Sequence, residues 1–144
     1  MWNKRLGVLV AVLLLADNSA HAADPTGLWL TRDNEARVQI FNCGQAICGK
    51  IAALTEPNDP QNGKPKLDKF NKDESKRARP VVGLQIISGL KPSGTPNQWQ
   101  GSLYNPEDGN TYQGQITLQD AQSLQLKGCV LSLFCKSEIW KRAN

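Results

Sequence analysis

The sequence predicts an all-β protein: eight antiparallel strands, running one after another as an up-and-down barrel, with a small helical turn in the long third loop. Three observations predict it. Between Gln98 and Trp140 the apolar residues fall on alternate positions in four successive segments, the two-residue period of strands with one buried face. Segments this close together pair as antiparallel neighbours, since a parallel return needs a crossover of a dozen or more residues. Eight such strands with almost no helical pattern would leave two unpaired edges, and closing into a barrel removes them.

The first residues have a different character. Met1 to Arg5 carries two positive charges, and Leu6 to Ala16 is an apolar run too short to span a bilayer. Ala20-His21-Ala22 then supplies the small-x-small pattern of a signal-peptidase site, so residues 1–22 are expected to be a cleaved signal peptide and residues 23–144 a single exported domain, periplasmic or secreted. His21 is the only histidine. The cleaved chain would have none, which excludes a Ser-His-Asp or Cys-His site and a His-ligated zinc. The net charge of +4 falls by one on losing Lys4, Arg5 and Asp17, far from the basic stripe of a nucleic-acid binder. No membrane span is expected in the mature form.

Gly27-Leu28-Trp29-Leu30 opens the domain as the first strand, and the polar run Thr31 to Glu35 makes a turn. Ala36 to Phe41 is the second strand, with Arg37 and Gln39 alternating against Val38 and Ile40. After a loop from Gly44 to Ile47, Cys48 to Leu54 forms the third. Thr55 to Arg79 then shows no strand period and is broken by Pro57, Pro60, Gly63 and Pro65, a long connection for a small domain. Inside it, Asn71 to Arg77 has acids early and bases late with Pro80 beyond, which predicts one or two helical turns. Val81 to Ser88 reads as an apolar fourth strand, and Gly89 to Asn97 as a loop. Gln98 to Leu103, Tyr112 to Leu118, Leu124 to Leu126 and Phe134 to Trp140 complete the eight.

In an up-and-down barrel the connections alternate between the two ends. Cys43 and Cys48 then lie at the opposite end from Cys129 and Cys135. Four cysteines in an exported chain predict two disulfides, and of the three connectivities this geometry favours Cys43–Cys48 and Cys129–Cys135. Spacings of four and five intervening residues do not suit a Cys₄ zinc site, and no motif activates a catalytic thiol. No metal or cofactor is expected.

Gly27-x-Trp29 on the first strand and Trp140-x-Arg142 on the last resemble the lipocalin-like (calycin) signature, in which a final-strand arginine packs across the first-strand tryptophan. More broadly, the chain resembles the exported bacterial proteins grouped as domain of unknown function (DUF) family 2147. The matching segments are Gly27 to Trp29, Cys43 to Gly49, Arg79 to Leu84, Tyr104 to Tyr112, and Gly128 to Arg142 with its cysteines and Trp140. The resemblance implies a small lipocalin-like barrel, with Gly27, Trp29 and Arg142 as structural residues. It brings no substrate and no catalytic residues.

Trp29, Trp99, Tyr112, Glu138 and Trp140 are the candidate barrel interior, where they either line a ligand cavity or fill it, an eight-stranded barrel being near the size that side chains alone can occupy. Glu138 shares a strand face with Trp140 and with Lys136. Asn105-Pro106-Glu107-Asp108-Gly109 offers adjacent carboxylates but has the make-up of a tight turn. The long loop carries seven basic against five acidic side chains, which reads as a solvated loop or as a lid meeting an anionic ligand or membrane surface. The leading function is a binding module for a small apolar or amphipathic ligand held in the barrel, with the long loop gating its mouth. The alternative is a structural or interaction protein of the cell envelope, with a packed interior, working surface loops and an envelope protein partner. An enzyme would have to use carboxylates, Glu138 first.

Overall fold

Eight strands follow one another in chain order around a closed barrel: β1 (Gly27–Leu30), β2 (Ala36–Cys43), β3 (Ala46–Leu54), β4 (Gln85–Pro92), β5 (Gln98–Asn105), β6 (Asn110–Asp120), β7 (Ser123–Val130) and β8 (Phe134–Arg142). Every neighbouring pair is antiparallel, and β8 closes on β1 through Trp29↔Arg142 and Leu30↔Lys141. This is the predicted architecture. The computed structural model describes residues 23–131 and 133–144, so the candidate signal peptide, with His21 and the cleavage point after Ala22, lies outside the described residues.

Alternation decides what lies inside. Trp29, Val38, Ile40, Ile47, Ile87, Leu90, Leu103, Ile116, Leu118, Leu124 and Trp140 form one buried cluster, contributed by all eight strands. Burying a side chain of this kind stabilises the fold by about 1.5–3 kcal/mol relative to leaving it in water. The partners of these residues in the pleat (Arg37, Gln39, Gln113 and Gln115 among them) point to the outer wall, where water satisfies them.

The last four strands all run longer than expected, and among the first four the boundaries depart at three places. The pairing of β2 with β3 runs on to Cys43↔Ala46, so the expected loop shrinks to a two-residue turn at Gly44 and Gln45. β4 begins at Gln85 rather than at Val81. Val81 to Leu84 is a turn: Gly83 adopts φ +90°, the Leu84 N–H donates to the Val81 carbonyl, and the Gly83 N–H donates to Ile51. Val81 and Leu84 are buried all the same, which is why the run imitates a strand. Gly89, expected in a loop, lies within β4 at a register irregularity that keeps Leu90 in the core. The predicted helical turn over Asn71 to Arg77 is a single 3-10 turn, Glu74–Lys76, with the Asp73 side chain accepting from the Ser75 N–H at 3.0 Å.

The long connection from β3 to β4 is ordered by its own backbone. Isolated bridges join Asn58 to Pro65 and Leu67 to Pro80. The Val81 N–H donates to Lys66, and the Asp68 N–H donates to Arg79. Its polar composition therefore does not make it solvated throughout: Asp68 and Asn71 are buried.

Candidate functional site

At one end of the barrel, β1 and β8 bring the signature residues together. The Arg142 guanidinium carbon lies 4.3 Å from the centroid of the Trp29 ring. Its nitrogens donate to three backbone carbonyls: Nε to Ala121 at 2.7 Å, Nη1 to Thr26 at 2.7 Å and Nη2 to Asp24 at 3.1 Å. The Trp29 indole donates in turn to the Pro25 carbonyl at 2.9 Å. A side chain at Gly27 would meet Arg142 Nη1 at 2.7 Å, so glycine is needed there to let the guanidinium in. The three residues close the barrel floor and tie the start of the domain to its last strand.

The other candidate interior residues also point inward. Trp140 is fully buried, while Trp99 and Tyr112 are half-buried and packed against the same core cluster. Glu138 is half-buried on the Trp140 face and accepts a hydrogen bond from the Trp140 indole N–H. Tyr112 reaches up to the β5–β6 turn and donates to Asp108, an acceptor that pushes the phenol up from its ordinary range. Leu103 packs directly over Gly114 of the neighbouring strand. A Cβ at Gly114 would lie 2.0 Å from the Leu103 Cγ, so the Leu103 side chain fills the volume that an ordinary residue on β6 would need.

Two concavities lie on the outer wall. One, of about 370 Å³, runs over β5 to β8 and is lined by Gln100, Gln113, Gln115, Lys127 and the Cys129–Cys135 cystine. The other, about 510 Å³, lies between the long loop and the outward residues of β4, β5 and β6. None of Trp29, Trp99, Tyr112, Glu138 or Trp140 lines either one.

The long loop is fastened at two places: Thr55 bonds the β1–β2 turn at Glu35 and Asn34, and the middle of the loop bonds the outer wall. Tyr104 follows Leu103 on β5 and so faces outward, and its hydroxyl donates to Asp68 Oδ1 at 2.5 Å. Asn71 Nδ2 donates to Asp68 Oδ2 at 2.8 Å and lies 3.0 Å from the Tyr104 oxygen. Arg79 Nη2 donates to Asp68 Oδ2 at 2.7 Å. Burial alone would raise the Asp68 carboxyl, yet the hydrogen bonds from Arg79, Tyr104 and Asn71 and the Arg79 charge outweigh it and hold the carboxyl below the usual carboxylate range. The Tyr104 phenol is pushed up to about 12, by burial first and then by the bond to Asp68. Close by, Gly109 at φ +71° has its missing Cβ position only 1.8 Å from the Phe70 carbonyl oxygen, so the loop rests directly on the β5–β6 turn. That turn is the tight one expected, closed by the Gly109 N–H donating to Asn105 at 2.8 Å.

Asp68, Asn71 and Tyr104 are not among the candidate residues that the sequence offers. The available signal was the parity of β5: Leu103 inward puts Tyr104 outward, and an outward tyrosine on a wall otherwise made of Ser, Gln and Thr needs a covering element.

The cysteines pair as favoured. Cys43–Cys48 straddles the β2–β3 turn, Cys129–Cys135 is a directly opposed pair on β7 and β8, and no described cysteine is free. Beyond the second cystine the hairpin tip is apolar and exposed: Leu131 and Leu133 are each 80% accessible and Phe134 73%. Among the described residues no group of three or more His, Cys, Asp or Glu side chains could hold a metal.

A closed eight-stranded meander whose last strand lays an arginine across the first-strand tryptophan is a lipocalin-like barrel. Residues 27–142 match the family model described as an uncharacterized protein conserved in bacteria (DUF2147), and the chain belongs to that family. Among solved structures it is similar to HP1028 from the human pathogen Helicobacter pylori, a protein described as belonging to the lipocalin family. The identity is 21%, 85% of each chain is covered and the TM-score is 0.71. At that identity the likeness shows the fold. No curated protein matches the chain.

Proposed function

We propose that this protein is a non-catalytic, exported interaction protein of the cell envelope, periplasmic or secreted, whose barrel is a packed scaffold and whose contacts are made by its outer wall and loops. One observation carries this reading: Trp29, Trp99, Tyr112 and Trp140 all belong to or pack against a single core cluster, so the aromatics that would line a ligand cavity are in contact with protein. The exposed tip at Leu131, Leu133 and Phe134 adds to it, since contiguous exposed apolar side chains on a small protein mark surfaces of contact. Two cystines suit an oxidising compartment.

A second reading keeps a small apolar or amphipathic ligand inside the barrel. It is favoured by the inward yet half-buried Tyr112, Leu126 and Glu138, which leave that part of the interior less tightly closed than the floor around Trp29. Titration of the exported chain with micromolar fatty acids and detergents, followed by tryptophan fluorescence, separates the two. The scaffold reading expects no saturable change. A saturable change that is lost in Tyr112→Ala and weakened in Glu138→Gln would replace it with the ligand-carrier reading.

A further inference from the structure

We propose that the outer-wall cleft between the long loop and strands β4 to β6 is a binding site for a small anionic, polyhydroxylated molecule, an acidic sugar or a sugar phosphate. This deepens the preceding reading and rests on it only in placing function outside the barrel. The cleft holds about 510 Å³, within the range of small-molecule sites. Its floor is made by the outward side chains Ser88, Ser102 and Thr111, and one wall by Lys72, Lys76 and Arg79 of the loop.

The chemistry of those walls selects the ligand. Hydroxyls donate and accept at once, which suits the vicinal hydroxyls of a sugar ring. No large aliphatic side chain lines the cleft, so an acyl chain would gain little there. Arg79 is fixed through Nη2 on the fully buried Asp68, with 43% of its side chain still exposed, so the rest of its fork can engage a carboxylate or phosphate without first being ordered. Lys72 makes no ion pair among the described residues. Asp73 is the acid on this wall, and its Oδ1 already accepts from the Ser75 N–H and hydroxyl at 3.0 and 2.6 Å. With Asp68 set against Arg79 and Asp73 near Lys76, the site keeps a modest positive excess.

The exported chain, labelled with ¹⁵N, is titrated with glucuronate, glucose 6-phosphate and glucose, with the amides of Ser88, Ser102 and Thr111 observed. Saturable shifts with one or both anions are expected, with glucose much weaker, and the anion that binds tells a carboxylate source from a phosphate source. Lys72→Gln with Lys76→Gln should raise the dissociation constant about fivefold, the effect of two exposed charge contacts, without altering the spectrum of the barrel. Three results would overturn the site: no saturable shift with either anion, glucose binding as well as the anions, or an unchanged dissociation constant in the double variant. Silence in the cleft together with silence in the amphiphile titration rejects this site alone and leaves the outer wall to a protein partner. A saturable fluorescence change with amphiphiles rejects the scaffold reading whatever the cleft does.

Discussion

Replacing Asp68 by Ala tests how the long loop is held. The wild-type carboxylate is fully buried and accepts from Tyr104, Asn71 and Arg79 at 2.5, 2.8 and 2.7 Å. Removing it leaves the half-buried Tyr104 and the buried Asn71, both at the edge of the cleft, without that acceptor, while the half-exposed Arg79 can rehydrate. A hydrogen bond to a charged group contributes about 1.5–3 kcal/mol, and a buried group left without a partner costs about 1–3 kcal/mol. Discounting Arg79, the loss is roughly 2–4 kcal/mol. It should fall on the loop rather than on the whole barrel, because the strand ladders do not depend on Asp68 and proteins open in local units. Native-state hydrogen exchange is the assay. The Asp68→Ala chain should lose protection at the amides of Val81 and of residue 68, which bond to Lys66 and Arg79, while β6 and β7 keep theirs. Unchanged loop protection would refute the claim that this network anchors the loop.

The pH dependence follows from the same groups. Asp68 titrates below its unfolded value, so its contribution is present above the ordinary aspartate range, near pH 4, and is lost as pH falls through the lower folded value. Tyr104 is shifted the opposite way, to about 12, so its contribution is present below about pH 10 and is lost as pH rises toward the folded value. Loop protection should therefore hold from about pH 4 to about pH 10 and decline on both sides. In Tyr104→Phe the alkaline decline should disappear and the acid one remain.

Other substitutions probe the rest of the design. Arg142→Ala should lower stability by about 0.5–2 kcal/mol through the lost contact with Trp29, and further through three freed carbonyls, with Arg142→Lys recovering only part; equal denaturant midpoints would argue against the closure of β8 on β1. Gly114→Ala should cost about 1–3 kcal/mol by driving a methyl into Leu103, and Leu103→Ala in the same chain should relieve the clash, as a thermal melt of single and double variants would show. Leu131→Ser with Leu133→Ser should change stability by no more than about 0.5 kcal/mol, because both lie outside the core, yet reduce self-association or partner capture; a large loss of stability would show that the tip packs inside.

The fold was legible because a strand announces itself every second residue. Gln98 to Trp140 alternates cleanly, and the closing pair Trp29 and Arg142 meets as the lipocalin-like resemblance implies. The fourth strand begins later than expected because Val81 and Leu84 are apolar for a local reason, burying a turn under the loop, and periodicity cannot distinguish so short an apolar run from the start of a strand. The cleft was not legible at all. Asp68 and Tyr104 are 36 residues apart, one in a stretch without a period and the other in a strand whose inward residues drew all the attention. Only the folded chain shows that the long loop turns down over the outer wall.

Where the loop goes also bears on where function can reside. A gate over a barrel mouth is held weakly so that it can open, whereas this loop is pinned by a buried carboxylate with three donors and by a turn whose glycine admits the Phe70 carbonyl. A buried acid is a costly way to fasten a surface loop, since burial by itself opposes its charge, and apolar side chains would do the same work without that opposition. What the acid supplies and an apolar contact cannot is a fixed direction for Arg79. Its guanidinium is held at the edge of a cleft that contains two lysines and a floor of hydroxyls, while inside the barrel the candidate aromatics belong to or pack against one core cluster. Rigidity and polar groups coincide on the outer wall, and that coincidence favours the outer wall over the interior as the place where a ligand is met.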